Sequence, residues 1–582
     1  MKMKKITANA SHIMVEQLAT LGVKYVFNNS GSREALFFDA LHAHSDIHGI
    51  LALHEGSVAA MAGGYTQVNL DPAVMVVHLG AGLSQCLGQL INVWSGGLPV
   101  VVITFAGDTG SYADKVGLDL NHNFGPTSIS APFTKENWTV IEPEGLPTAI
   151  HRALQVAKTP PIGTVHIAAY DRVLSPDPIK TQLIEGCIPE PRAGYPADSE
   201  IEEITRALHD AKRPLLYFGD GVWKSDAAQA VTEFVEHFGL PMVGDTRSIS
   251  VKHPLHCGRL GQAVSAFNPD TIICLGVRQG GGGRRFDFDG LSRAERIIAI
   301  GPASDNFKNI PNLDIAILAD ELRTVERLNA LARSDSTSSQ FDDRRAWARK
   351  QAETLRTDGQ KAIQRSKPQP GTIRPFVVAE VIDAALERLG GGLVMIEQYV
   401  VPVGNIGLES QASNNVYIRA AGGSEGYGIG GAIGVKLAAP DKPVIGLVGD
   451  GSMYYADSGL WTAAHHNIPV LYVISNNQSY GVVAGSFGRV DGVMKRTGEY
   501  AGVVLDGIDP VKIADGFGIE GAHVQEESQL TDAVNRGLKT VEGEGRPFLL
   551  NVQLPLGLPE GGRAATPFRL TENNRRKPDR EI

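Results

Sequence analysis

Asp450 and Asn477 are the residues whose types and spacing most directly suggest chemistry. They stand in PVIGLVGDGS and IPVLYVISNNQSYG, 27 residues apart, each directly after an apolar run. A carboxylate, an amide oxygen and a loop carbonyl make a hard oxygen set, which suits Mg²⁺ sharing its shell with a phosphate. Residues 444–448 and 469–474 read as buried strands, and residues 453–466 as the helix between them. A right-handed crossover makes such strands parallel and brings both polar residues to one C-terminal edge. That edge is where open α/β sheets bind ligands. An Asp-Gly pair alone is an ordinary turn. Gly219-Asp220-Gly221 is the internal control: it too follows an apolar strand, yet Arg247 stands where a second polar ligand would be needed.

A second carboxylate lies far away in sequence. Leu53-His54-Glu55 closes a strand-like run and opens the small-residue stretch Gly56-Ser57-Val58-Ala59-Ala60-Met61-Ala62-Gly63-Gly64-Tyr65. A glutamate at a helix start gains from the helix dipole whatever else it does. Where packing excludes water, desolvation also raises its pKa and equips it to share a proton. His78-Leu79-Gly80-Ala81-Gly82 follows the next strand. A lone histidine at a strand end is usually a structural hydrogen-bonding group, and Ser30-Gly31-Ser32 reads equally as a plain turn.

Three α/β blocks must carry these residues. The chain has 582 residues, 43% hydrophobic and 20% charged, enough for about three domains at roughly 100–200 residues each. Strand-like runs at 25–27, 50–53, 74–78 and 99–105 alternate with helix-like stretches at 56–67 and 83–94. Such alternation marks a parallel sheet covered by helices. A Pro-containing linker at 188–196 precedes a second block, with strands near 214–218, 271–275 and 296–300. The polar, charged stretch 334–367 reads as helical or loosely ordered, and the third block begins near Thr372. The expected boundaries are 1–185, 192–335, a linker at 336–371, 372–556 and a tail at 557–582, with the last dozen residues mobile.

Composition excludes some classes. The net charge of −10 argues against nucleic acid as the main partner. No run is long and apolar enough for a membrane span, and the basic N-terminus lacks the apolar core of a signal peptide. Four cysteines, Cys86, Cys187, Cys257 and Cys274, without C-x-x-C spacing, fit free thiols in a reducing cytoplasm.

The GDG…Asn-Asn unit resembles the magnesium–diphosphate motif of the thiamine-diphosphate enzymes. Glu55 with its small-residue helix, His78–Gly82 and Asn92-Val93-Trp94 match the pyrimidine-binding domain of that family. Ala420-Ala421-Gly422-Gly423 and GDGSMYYADSGLWTAAHHNIP are most similar to the benzoylformate decarboxylase and acetolactate synthase branch. The resemblance spans the chain and implies three Rossmann-like domains: pyrimidine, middle and diphosphate. It implies thiamine diphosphate and Mg²⁺ as cofactors. Glu55 would share a proton with the cofactor's aminopyrimidine, and Asp450, the Asn477 side chain and the Ser479 carbonyl would ligate Mg²⁺. Gly449, Gly451 and Ser452 would let backbone N–H groups approach the diphosphate, and Tyr427 would lie beside the cofactor. Asn29, Ser32 and His78 would face the reacting carbonyl, with Val482 and Val483 above it. A homodimer is the minimum active unit in the family, and homotetramers also occur.

One residue departs from the pattern. Glu425, in Gly423-Ser424-Glu425-Gly426-Tyr427-Gly428, stands where the family has a bulky aliphatic wedge under the cofactor. Either Glu425 turns away and Tyr427 or Ile429 supplies the wedge, or it acts as an acid/base or charge-stabilising group. In the second case it would repel a substrate carboxylate at short range. The activity expected first is non-oxidative decarboxylation of a 2-oxo acid with linked carboligation, on small aldehyde, ketone or 2-oxo acid substrates. Alternatives are an acetolactate-synthase-like carboligase and an acyloin or diketone lyase. A catalytically silent regulatory homologue would need a broken cofactor site, yet Glu55, Asp450 and Asn477 are all present. A flavin- or nucleotide-binding oxidoreductase is a further class, and Gly280–Gly283 with Arg284 and Arg285 reads as a flexible loop in preference to a nucleotide cradle.

Overall fold

A computed structural model of the chain describes residues 2–106, 125–245, 247–278, 288–308, 310, 312–334, 341–408, 414–497, 500 and 502–559. His122, a weak pocket candidate by sequence, the loop Gly280–Gly283 with Arg284 and Arg285, and the last dozen residues lie outside the described residues.

The first block contains β1 (Lys2–Ala8), β2 (Tyr25–Asn28), β3 (His48–Leu51), β4 (Ala73–Val76), β5 (Val100–Ala106), β6 (Glu136–Val140), β7 (Val165–Tyr170) and β8 (Ile179–Glu185). Strands β3-β2-β4-β5-β7-β6 form one parallel sheet. Its central strands are apolar and buried on both faces, as helix-covered parallel strands must be. Strands β1 and β8 pair antiparallel outside that sheet, an addition the basic N-terminal sequence does not announce.

The second block holds β9 (Pro214–Phe218), β10 (Met242–Gly244), β11 (Thr271–Leu275), β12 (Arg296–Gly301) and β13 (Ile315–Leu318), parallel in the order β10-β9-β11-β12-β13. A 23-residue helix, Asp342–Gln364, follows; Ala348 and Ala352 are its buried residues, which explains why its sequence reads as polar. The third block holds β14 (Leu393–Glu397), β15 (Val416–Arg419), β16 (Val444–Gly449), β17 (Leu471–Asn476), β18 (Gly521–Val524) and β19 (Phe548–Gln553). They form a parallel sheet in the order β15-β14-β16-β17-β19-β18. Three parallel-sheet α/β units are therefore present, as expected.

β16 and β17 are parallel neighbours with Gly449 opposite Ser475, so Asp450 and Asn477 emerge at the same sheet edge. The expected single helix at 453–466 is two, Asp450–Tyr454 and Gly459–His465. Residues 455–458 separate them, and Asp457 and Ser458 there carry side chains that compete with the helix for backbone hydrogen bonds. The helices Glu55–Asn69 and Gly428–Ala438 cross in one continuous core shared by the first and third blocks.

Candidate active site

The oxygen cluster at the β16–β17 edge is built from buried atoms. Asp450 is 2% exposed, and its Oδ2 has no hydrogen-bond partner among the described residues. Burial pushes its carboxyl up to about 7, against the opposing pull of backbone N–H groups at Gly451, Asp450, Gln478 and Asn477. A buried carboxylate oxygen without a donor is an atom a cation would satisfy. Asn477 donates from Nδ2 to the Gly557 carbonyl at 2.6 Å, which commits its nitrogen and leaves the amide oxygen to ligate. Gln478 adopts a left-handed φ of 52°, an unusual backbone state that turns the chain sharply between Asn477 and Ser479. Ser479 is buried, and its Oγ also lacks a partner among the described residues. Gly449 is extended before the Asp450–Tyr454 helix, and a Cβ on Gly451 would lie 2.7 Å from Tyr480 Cε1. This oxygen set fits a hard divalent cation beside a phosphate.

A rigid loop closes one side of this cluster. Asn92 holds Ser424 twice, accepting its N–H at 2.9 Å and donating to its carbonyl at 2.7 Å. Gln89 donates to the Glu425 carbonyl at 2.6 Å. Buried Glu397, at the end of β14, accepts the N–H groups of Gly426 and Tyr427 at 2.9 Å and of Gly428 at 2.6 Å. Burial pushes the Glu397 carboxyl up to about 8, and the three donors pull it back. So held, Glu425 accepts a hydrogen bond from the Ser452 hydroxyl through its own carboxylate. Burial, with the charges of Glu425 and Glu397, pushes the Tyr399 phenol up to about 12.

The side chains of Tyr427 and Ile429, the candidate wedges, are both fully buried. The Tyr427 hydroxyl donates to Gln67 at 2.8 Å inside the helix crossing, and Ile429 packs against Gly459. The Tyr427 ring fills a gap that the surrounding glycines leave between the helices.

Glu55 opens the Glu55–Asn69 helix, whose N-cap His54 accepts the Gly56 N–H on Nδ1 at 3.0 Å. A Cβ on Gly82 would lie 3.0 Å from Glu55 Oε1 and 3.3 Å from His78 Cβ, so Glu55 and His78 share the first turn of the Ala81–Ser95 helix. The single chain leaves Glu55 half-buried, so the expected exclusion of water is incomplete in one subunit. The side chain of Gln89 lies 3.6 Å from the Cβ position of Gly56 and thereby links the Glu55 turn to the Glu425 loop. Asn29 donates from its side chain to Ala52 at 2.9 Å and from its backbone to Val76 at 3.2 Å, tying together the ends of β3 and β4. Ser32 is exposed on the short 3₁₀ turn Ser32–Glu34. Val482 and Val483 are exposed on the Gly481–Phe487 helix, beyond the Asn477 loop. His465 stacks on Trp461, while His466 accepts the Leu51 N–H at 3.0 Å.

Sequence reasoning passes over Glu34, Glu397, Gln89 and Gly557. Glu34 has a local signal, since a glutamate three residues after Gly31 fits a capping box. The others act through partners 29, 80 and 336 positions away and leave no local pattern. Gly557 belongs to the expected tail, yet it exchanges hydrogen bonds with Asn477.

Three α/β units, a phosphate-side oxygen cluster and a remote glutamate define an enzyme that binds a diphosphate cofactor through a divalent cation. Models of thiamine pyrophosphate enzyme domains match along the chain: the N-terminal TPP binding domain over residues 8–124, the central domain over 201–328 and the C-terminal TPP binding domain over 402–552. The chain belongs to the thiamine pyrophosphate enzymes, a family that binds thiamine diphosphate with Mg²⁺. It is 26% identical to benzoylformate decarboxylase of Pseudomonas aeruginosa over 555 residues, covering 92% of this chain and 97% of that protein. It is also 26% identical to the acetolactate synthase large subunit of Lactococcus lactis subsp. lactis, covering 83% of each. Among solved structures, the thiamine diphosphate-dependent 4-hydroxybenzoylformate decarboxylase of Rhodococcus jostii RHA1 shares the fold. That match has a TM-score of 0.76 at 22% identity, covering 94% of this chain and 99% of that one. No helix among the described residues is long and apolar enough to cross a membrane.

Proposed function

We propose that this enzyme decarboxylates a 2-oxo acid without oxidation and joins the resulting acyl unit to an aldehyde or ketone. With Glu55 and the Asp450 cluster contributed by different subunits, a bound cofactor would supply a nucleophilic carbon and an electron sink for breaking or forming a C–C bond next to a carbonyl. Asp450, Asn477 and the Ser479 carbonyl would hold Mg²⁺, and Gly449, Gly451 and Ser452 would line the diphosphate. Glu55 holds a proton against the aminopyrimidine, and His78 exchanges one with the substrate. The observation that carries this reading is the pairing of Glu55 and His78 around Gly82, in a chain similar to benzoylformate decarboxylase over nearly its whole length. Unpaired cysteines support a reducing, cytoplasmic setting. Half-buried Glu55 supports a homodimer in which a second copy completes the seal.

Glu425 favours a second reading. Its carboxylate is fixed on the Ser452 side. That charge selects uncharged carbonyl substrates, as an acyloin or diketone lyase requires. Assaying 2-oxo acids for CO₂ release beside acyloins and diketones for aldehyde release separates the two readings. Glu55→Gln should nearly abolish turnover while cofactor still binds. Full activity in that variant would refute both.

A further inference from the structure

The Ser32–Glu34 turn holds a fully buried carboxylate that the proposed chemistry leaves unused. Glu34 Oε2 accepts the Gly31 N–H at 3.0 Å, and Glu34 Oε1 lies 2.9 Å from His78 Nδ1. The Glu34 side chain has no exposure, whereas that of His78 retains 19%. Gly31 is the residue that permits this approach: a Cβ there would overlap His78 Nδ1 and lie 2.7 Å from Glu34 Oε2. On its other side, His78 shares Gly82 with Glu55. The Gly31 N–H thus holds one Glu34 oxygen while the other meets His78 Nδ1.

We propose that Glu34 is a positioning residue that fixes His78 as the Nδ1–H tautomer, so that any proton His78 exchanges with substrate travels on Nε2. This rests on the reading that His78 faces the reacting carbonyl. The argument is one of donors and acceptors. Gly31 N–H is a donor and needs one carboxylate oxygen; the other oxygen then takes the Nδ1 proton. An ionised carboxylate is acceptor-only and satisfies both donors. A glutamine offers one oxygen, and its NH₂ would confront whichever donor was left. Both tautomers of neutral imidazole exist in solution, and the bond made by one nitrogen decides which is held. A base whose reactive nitrogen is set in advance spends no part of its encounter reorganising.

The test has two arms. In the first, ¹⁵N-histidine NMR of the parent protein, with the His78 signals assigned by their loss in His78→Gln, reads the tautomer directly. The expected result is Nδ1–H in the parent and a population of Nε2–H in Glu34→Gln. An Nε2–H parent, or a Glu34→Gln spectrum identical to the parent, overturns the proposal. The parent measurement decides even if Glu34→Gln does not fold. In the second arm, kcat on whichever carbonyl substrate the enzyme turns over should fall about tenfold or more in Glu34→Gln. Cofactor affinity should stay constant, and Glu34→Gln/His78→Gln should be no slower than His78→Gln alone. Additive losses overturn the coupling. If His78→Gln keeps full activity while the tautomer result stands, the placement of His78 at the substrate fails and the Glu34–His78 pairing does not.

Discussion

Gly64 and Gly431 meet backbone to backbone, so that a Cβ built on Gly64 would overlap the Gly431 carbonyl oxygen. Gly434 repeats the contact one turn on, against the Met61 carbonyl. The crossing helices begin at Glu55 and just after the Glu425 loop, so this contact fixes how the first and third blocks pack within one chain. Neither carbonyl can move without bending its helix. Gly64→Ala should therefore cost at least about 1–3 kcal/mol, the usual range for overpacking, read as a lower urea midpoint. Gly145, with nothing within 4 Å of its Cβ position, is the control, and Gly145→Ala should be neutral or mildly stabilising. Equal midpoints for the two variants would contradict the close crossing.

Asp450 should show opposite effects on function and on stability. Its unpartnered, buried Oδ2 is unfavourable until a cation arrives. Asp450→Asn removes that charge while keeping the shape. Without Mg²⁺ and cofactor, the variant should melt higher than the parent; with both, only the parent should gain in Tm, since binding stabilises the state that binds. Differential scanning calorimetry with and without Mg²⁺ and thiamine diphosphate checks both signs. A variant that gains as much as the parent would remove Asp450 from the metal site.

The parallel sheets and the Asp450–Asn477 edge were legible in the sequence because their determinants are local: apolar runs, a glycine turn and one crossover length. The same holds for Glu55 at its helix start. What escaped reading depends on partners remote in the chain. Tyr427 looks like a site residue from its neighbours in sequence, but Gly63 and Gln67, over 350 positions away, draw its ring into the core. Glu397 looks like the polar end of a strand, and its role exists only because Gly426, Tyr427 and Gly428 present three N–H groups to it. Glycine in sequence signals freedom, and only the fold shows which glycines are there to let another chain segment approach.

His466 should make stability pH-dependent. Its Nε2 accepts the Leu51 N–H across the first and third blocks, which requires a neutral ring on that nitrogen. Burial, then the neighbouring His465, holds its pKa below the ordinary histidine value. The folded state thus binds fewer protons than the unfolded one as pH falls below about 6.5, the unfolded value. Its contribution is present above that pH and is lost as pH falls through the lower folded value. His466→Gln keeps an acceptor and removes the titration. The Tm of the variant should fall less than that of the parent between pH 7.5 and pH 5.5, and parallel curves would show that this contact does not titrate.

Glu397→Gln isolates the loop that holds Glu425. One amide oxygen can still take the Gly426 and Tyr427 N–H groups, as Oε1 does now, but the new NH₂ faces the Gly428 N–H, a donor against a donor. Leaving one buried donor unsatisfied costs about 1–3 kcal/mol, and the start of the Gly428–Ala438 helix should fray. Hydrogen exchange at Gly428 should then accelerate. Because the same loop fixes the Glu425 carboxylate against Ser452, Glu397→Gln should also relax discrimination between charged and uncharged carbonyl substrates, shifting kcat/KM ratios in the same direction as Glu425→Leu. Faster exchange at Gly428 with an unchanged substrate ratio would separate the two roles: Glu397 would then cap the helix, and the position of Glu425 would depend on Asn92, Gln89 and Ser452.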